Sequence, residues 1–144
     1  MARKVIYRVI DANFNRVREG LRVCEEFVRF FLNDKALTGA FKKMRSRISR
    51  LYNGFPRDKK DLFSAREAAS DVGRVGFKSE RERSRALDIF RANMQRSKEA
   101  LRVLEEFSKL ENRPLSDEFR KLRFKSYELE KRASQKLGRL KKLT

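Results

Sequence analysis

The chain has 144 residues, 40% of them hydrophobic, 40% charged, with twelve Phe and a net charge of +18. That length suits one domain with a packed core. The charge attracts anions: nucleic acid, nucleotides, sugar or pyrimidine phosphates, or acidic lipid surfaces. With no His, a single Cys and no run of about 20 apolar residues, histidine-based metal sites and triads, a disulfide framework and a membrane span are all excluded, and the expected location is the cytoplasm.

In chain order, apolar spacing predicts a first helix from Val5 or Arg8 to Leu32, where Asn33-Asp34 stops it and caps the next. The second helix runs to Tyr52 and ends at Asn53-Gly54. Residues 53–79 read as a linker: a polar loop with Pro56, a short helix over Asp61–Ala69, then an irregular stretch over Ser70–Lys78 with two glycines. A Ser-x-x-Glu capping box at Ser79–Glu82 opens the second long helix, which ends near Glu111. Asn112-Arg113-Pro114 breaks the chain; Ser116 caps a last helix that reaches Leu137 and stops near Gly138. No strand signal is present, so the fold class is all-α.

The chain repeats itself. ANFNRVREGLRVCEEFVRF, Ala12 to Phe30, returns as ANMQRSKEALRVLEEFSKL, Ala92 to Leu110, with ten of nineteen positions identical. Phe41-Lys42-Lys43-Met44-Arg45 likewise returns as Phe119-Arg120-Lys121-Leu122-Arg123. The repeat spans 8–52 and 88–131. It predicts a helical bundle of two pseudo-twofold-related hairpins with an irregular central loop, within a single domain of residues 1–144. Long amphipathic helices make a homodimer an expected assembly.

On a helical wheel Val9, Asn13, Val17, Gly20, Cys24, Phe27 and Phe31 fall on one stripe, with Arg16 beside it. Glu19 and Glu26 lie toward solvent, and Arg22 faces nearly opposite. The second copy sets Asn93, Arg96, Glu99 and Glu106 at the same places. A buried Asn or Arg costs several kcal/mol, on the order of 2–7, unless its polar atoms are paired. Either these residues form a buried polar network, with Arg16 paired to Glu99 or Glu106, or they line a pocket between the long helices. Arg22 and Arg102 read as solvated, or as partners of Glu26 and Glu106 four residues on. Arg45 and Arg123 read as a basic outer face or as a phosphate clamp, since a guanidinium grips two phosphate oxygens. Between the copies, Arg66 to Gly73 has no repeat partner, and its Asp71 suits either a turn cap or a Mg²⁺ ligand. Cys24, on the apolar stripe, reads as a small core residue.

Ile10-Asp11-Ala12-Asn13, Asn15-Arg16 and Glu19-Gly20-Leu21-Arg22-Val23 resemble the opening motif of a helical family of thiamine biosynthesis. Arg66 to Gly73, Ser79-Glu80, Ala92-Asn93 and Glu99 to Glu106 resemble its later motifs, in order. The family is the monofunctional hydroxymethylpyrimidine-phosphate kinase, also found fused N-terminal to thiamine-phosphate synthase. The resemblance implies a phosphomethylpyrimidine kinase that uses ATP and Mg²⁺ to make hydroxymethylpyrimidine pyrophosphate. It assigns Arg16, Arg45, Arg66, Arg96 and Arg123 to phosphates and Asn13 and Asn93 to the pyrimidine or a phosphate. It assigns Asp71 to Mg²⁺ or to orienting the attacking oxygen, with Glu19 and Glu99 as further catalytic or metal-ligand candidates. The chain departs at Ser46, where many members are expected to carry His.

Two other functions fit the residues. The charge, the basic second helices and the basic tail suit a nucleic-acid-binding protein, although Trp is absent and Tyr scarce for base stacking. A non-catalytic module docking on a thiamine-biosynthesis enzyme is the third reading.

Overall fold

The computed structural model describes residues 2–54, 65–73 and 85–143, with 141–143 by their backbone only. Four helices make up the body: α1 (Ala2–Glu26), α2 (Lys35–Asn53), α3 (Ala86–Ser108) and α4 (Arg113–Leu143). A short 3₁₀ turn, Ala68–Ser70, lies between α2 and α3. The class is all-α, and no strand occurs among the described residues. No helix among them is long and apolar enough to cross a membrane.

α1 is the central helix, packed on α3 along its length and on α2. Its buried face carries Ile10, Phe14, Val17, Leu21 and Cys24, spaced three and four apart as one helix face demands. Phe41 and Ile48 of α2, Phe90, Met94, Leu101 and Leu104 of α3, and Phe119 and Leu129 of α4 meet that face. Phe14 sits edge-on to Tyr52 and Phe119 at 5.0 and 5.4 Å between centroids. Phe27 stacks on Phe90 at 4.8 Å. Fully burying one such side chain contributes roughly 1.5–3 kcal/mol. α1 and α3 approach closely at Gly20. A Cβ there would collide with Ser97 Oγ and come within 3.1 Å of the Asn93 carbonyl oxygen.

Helix ends follow local chemistry. Asp34 caps α2 by accepting the Leu37 N–H at 2.9 Å. Asn33 turns the chain with φ 50°, a conformation Asn tolerates better than most residues. Asn112, not Ser116, caps α4: its Oδ1 accepts the Leu115 N–H at 3.2 Å. Ser116 lies inside the helix, and its hydroxyl donates to the Glu105 carbonyl oxygen at 2.6 Å. α4 also runs through Gly138, because Leu137 and Leu140 still pack against the core. The capping box at Ser79–Glu82, Pro56, and residues 61–64 of the short helix expected over Asp61–Ala69 lie outside the described residues; of the rest, 65–67 are not helical and Ala68–Ser70 is a 3₁₀ turn.

Phe31 is another correction. The end of the first long helix, Phe27–Phe31, is a π turn, closed by the Leu32 N–H on the Phe27 carbonyl oxygen at 3.2 Å. One extra residue in a turn rotates the residues beyond it by about 100°. Phe31 therefore leaves the buried stripe and is 68% exposed.

Candidate functional site

The two long helices and the segment between the repeats enclose one cleft. Val5, Val9, Asn13 and Arg16 descend one face of α1, and Arg96, Glu99, Val103 and Phe107 climb α3. Arg66, Ala68 and Asp71 close the side. All of these but Arg96 and Glu99 line a cavity of about 660 Å³ whose walls include Val5, Val9, Val103 and Phe107. A second cavity, of about 520 Å³, holds Arg16, Arg96, Glu99 and Gly73. Asn13, Arg16, Asp71 and Val103 line both, so the cavities adjoin. One end is apolar and the other cationic.

The segment is seated on α1 by ion pairs. Arg66 grips Asp11 with two hydrogen bonds, Nε to Oδ2 at 2.6 Å and Nη2 to Oδ1 at 2.9 Å. The Tyr52 hydroxyl donates to Asp11 Oδ1 at 3.3 Å. Burial, and next the Asp11 charge, push the Tyr52 hydroxyl pKa up. The Asp11 hydrogen bonds raise that of Arg66. Glu67 pairs with Lys4 at 3.0 Å and Arg8 at 3.6 Å. Lys4 first, then Arg8, holds the Glu67 carboxyl below its usual range.

Asn13 is buried yet satisfied on its own helix. Its amide donates to the Val9 carbonyl oxygen at 2.8 Å, and its Oδ1 accepts from Arg16 Nη1 at 3.4 Å. Asn93 repeats the first of these bonds, to Ile89 at 2.8 Å, but does not line the cleft. Arg16 and Arg96 face the 520 Å³ cavity with no acidic partner among the described residues. Arg16 pairs with neither Glu99 nor Glu106; Glu99 accepts from Gln95 at 3.0 Å, and Glu106 pairs with Arg102 and Lys109. The exposed guanidinia of Arg16 and Arg96 are thus the cleft's available anion ligands.

Asp71 sits at the cleft mouth with Oδ1 accepting the Gly73 N–H at 2.8 Å, the turn-forming role of such an Asp. Among the described residues no three acidic or thiol groups cluster as a metal site. Glu19 and Arg45 lie outside the cleft, in a groove between α1 and α2. Arg123 is also outside it: its Nε donates to Glu105 at 2.9 Å, and those bonds raise its pKa. Ser46 is exposed on α2 and lines none of these cavities.

Three functional carboxylates escape the sequence reading. Asp11 has no acidic counterpart in the second copy, where Arg91 stands, and its partner Arg66 is distant in sequence. Glu25 and Glu105 are doubled identities, each next to a second Glu; only the first of each pair is buried. Glu25 binds Arg22 at 3.4 Å and Arg45 at 3.3 Å. Glu105 binds Arg102 at 3.7 Å and Arg123 at 2.9 Å. Corresponding residues of the two copies thus make corresponding ion pairs.

Residues 8–132 match the ThiD2 family. The chain belongs to the ThiD2 family. Relatives of this ThiD2 chain are the thiamine-phosphate synthases of Nostoc sp., Nostoc punctiforme and Thermosynechococcus vestitus, which are 38%, 37% and 39% identical. The alignments cover 88%, 88% and 85% of the ThiD2 chain but 35%, 35% and 34% of the synthases. The chain spans about a third of the length of these curated relatives. No solved structure matches it. The expectation of a phosphomethylpyrimidine kinase is corrected by these relatives. They are named as synthases, not kinases, and the ThiD2 chain corresponds to a small helical part of them.

Proposed function

We propose that the chain is a non-catalytic helical module of thiamine biosynthesis that docks on a thiamine-phosphate synthase and holds a phosphorylated small molecule in its cleft. One observation carries this reading: nearly the whole chain aligns with a third of a thiamine-phosphate synthase. In that relative the helical part and the remainder share one polypeptide, which keeps them together at high effective concentration.

The cleft supports the ligand class. Arg16 and Arg96 offer guanidinium forks to a phosphate, while Val5, Val9, Val103 and Phe107 offer an apolar wall to a flat ring. Hydroxymethylpyrimidine phosphate and ATP are the ligands to try first. Mg²⁺ is commonly bound by one or two carboxylates plus ligand phosphates. Asp71 and Glu99 line the same cavity as Arg16 and Arg96 and fit that role. A homodimer is the alternative assembly.

The test mixes the purified chain with a thiamine-phosphate synthase freed of its own equivalent helical part. Sedimentation velocity should show a mixed complex, and thiamine phosphate should form with higher kcat/KM in its presence. Calorimetry should show hydroxymethylpyrimidine phosphate binding that weakens about tenfold in Arg16→Gln, the effect of losing one hydrogen bond to a charged group. Absence of a complex would overturn the docking. ATP-dependent turnover of hydroxymethylpyrimidine phosphate by the chain alone would overturn the non-catalytic assignment.

A further inference from the structure

A second concavity lies further round α1. Asn15, Arg18, Glu19 and Arg22 face Arg45 and Ser49 of α2 across a groove of about 520 Å³. Three guanidinia and one carboxylate line it. Arg18 donates from Nη2 to Asn15 Oδ1 at 2.7 Å and lies 4.3 Å over the Tyr52 ring. It has no acidic partner among the described residues. The buried Glu25 holds the other two: it accepts from Arg45 Nε and Nη2 at 3.3–3.4 Å and pairs with Arg22 Nη1 at 3.4 Å, and Arg22 Nε also pairs with Glu26 at 3.3 Å. An Arg has five N–H donors, so Glu25 and Glu26 orient these forks without saturating them.

The second copy of the repeat is the internal comparison. There the same positions are Gln95, Lys98, Glu99, Arg102, Arg123 and Tyr127. Lys98 is neutralised by Glu130 at 2.9 Å and lies 5.0 Å from the Tyr127 ring centroid. Its side chain is only 12% exposed. Glu130 stands where the first copy has Tyr52, and Tyr127 where it has Ser49. In the second copy the cation at this position is thus paired and nearly buried, while in the first copy Arg18 has no acidic partner among the described residues. The second copy solves the same packing problem with its cation paired, so folding alone does not require the unpaired Arg18.

We propose that the α1–α2 groove is a second anion site, in which Arg18, Arg22 and Arg45 take the phosphate group of a small molecule. Guanidinium forks match phosphate oxygens in pairs, and the Tyr52 ring beneath Arg18 supports its plane. The proposal does not rest on the cleft's guanidinia, since neither Arg16 nor Arg96 lines the groove and only Asn15 is shared with the cleft.

The experiment titrates inorganic pyrophosphate into the full chain and follows the arginine Nε–Hε signals by NMR. The Arg18 and Arg45 signals should move and saturate, and should do so equally in Arg16→Gln, which disables the cleft instead. Ser49→Tyr, which puts the second repeat's ring into the open groove, and Arg18→Gln should each weaken the response about tenfold. Glu19→Gln, which removes the groove's own carboxylate from an exposed position, should tighten it several-fold, on the order of 2–5. Ser49→Tyr and Glu19→Gln keep every guanidinium and its Glu25 partner, so they decide the matter even if Arg18→Gln fails to fold. An unsaturable response, an equal response in Ser49→Tyr, or the same response to chloride at matched ionic strength would overturn the proposal. So would signals moved by a random-sequence DNA duplex and not by pyrophosphate, which would make the groove a nucleic-acid contact.

Discussion

Glu25 and Glu105 keep almost no contact with water, and each is held by two arginines of its own hairpin. Removing one partner of such a pair leaves a buried charge uncompensated, which costs about 3–5 kcal/mol in well-buried cases. The Arg123 side chain is 13% exposed and Glu105 7%, so Glu105→Ala should lose about 3 kcal/mol in urea denaturation. Arg102, 56% exposed, is a rim partner, and Arg102→Ala should lose less than about 1 kcal/mol. An equal loss at the two positions would mean the pair is not what pins α4 to α3. Cys24 is a second residue-scale case. Burial, and next the Glu130 charge, push its thiol well above the ordinary thiol range, and its Sγ contacts the Phe90 carbonyl oxygen at 3.7 Å. The thiolate is the reactive form, so iodoacetamide at pH 8 should leave Cys24 unmodified in the folded chain and label it in denaturant, read by mass. The inward placement of Cys24 and Asn13 was legible because both follow the apolar stripe. The burial of Glu25 and Glu105 was not. Adjacent glutamates look alike in sequence, and only the cross-helix arginine, 18 or 20 residues away, tells which one turns inward.

At the scale of elements, the α1–α3 crossing depends on the absence of one methyl group. Helix propensity alone would make Gly20→Ala favourable by about 1 kcal/mol. The new Cβ meets Ser97 Oγ and a backbone oxygen, and overpacking of this kind costs about 1–3 kcal/mol. Gly20→Ala should therefore destabilise. Ser97 Oγ has no hydrogen-bond partner, so Ser97→Ala should be neutral or stabilising. The double variant should recover most of the loss, leaving a coupling energy of about 1 kcal/mol or more in a thermal-unfolding cycle. Additive single effects would place the strain elsewhere. The segment 65–73 is the other element with a checkable tether. Asp11→Asn removes the charge that holds Arg66, so amide exchange at Asp71 and Gly73 should speed up while α1 amides stay protected. The four helices were legible from spacing and caps. The π turn was not, because no Pro or Gly marks it in Phe27–Phe31. The α4 start was misplaced by one turn because Asn112 and Ser116 are both good caps, and only the Glu105 carbonyl beside Ser116 decides between them.

For the whole molecule, the excess of cations is what a partner meets first. The net charge is +18, yet many of the described cations are already engaged: Arg47 with Glu118, Lys98 with Glu130, Arg85 with Asp88. Such internal pairs do not remove the long-range field, because the surplus of Lys and Arg remains. They do limit how many side chains can each release a counterion by closing on a phosphate. Docking on a synthase and binding to nucleic acid therefore part in their response to salt. Association with the synthase should be steered by charge and slow on the order of tenfold between low salt and about 0.5 M, while the dissociation rate changes little. Binding to a random DNA duplex should instead show a shallow dependence of affinity on salt, with few phosphates neutralised. Stopped-flow association with the synthase, beside duplex titrations across the same salt series, separates the two. A steep duplex slope with no measurable synthase association would show that the field serves a nucleic acid, and the cleft's shared ancestry with the synthases would then say nothing of its present partner.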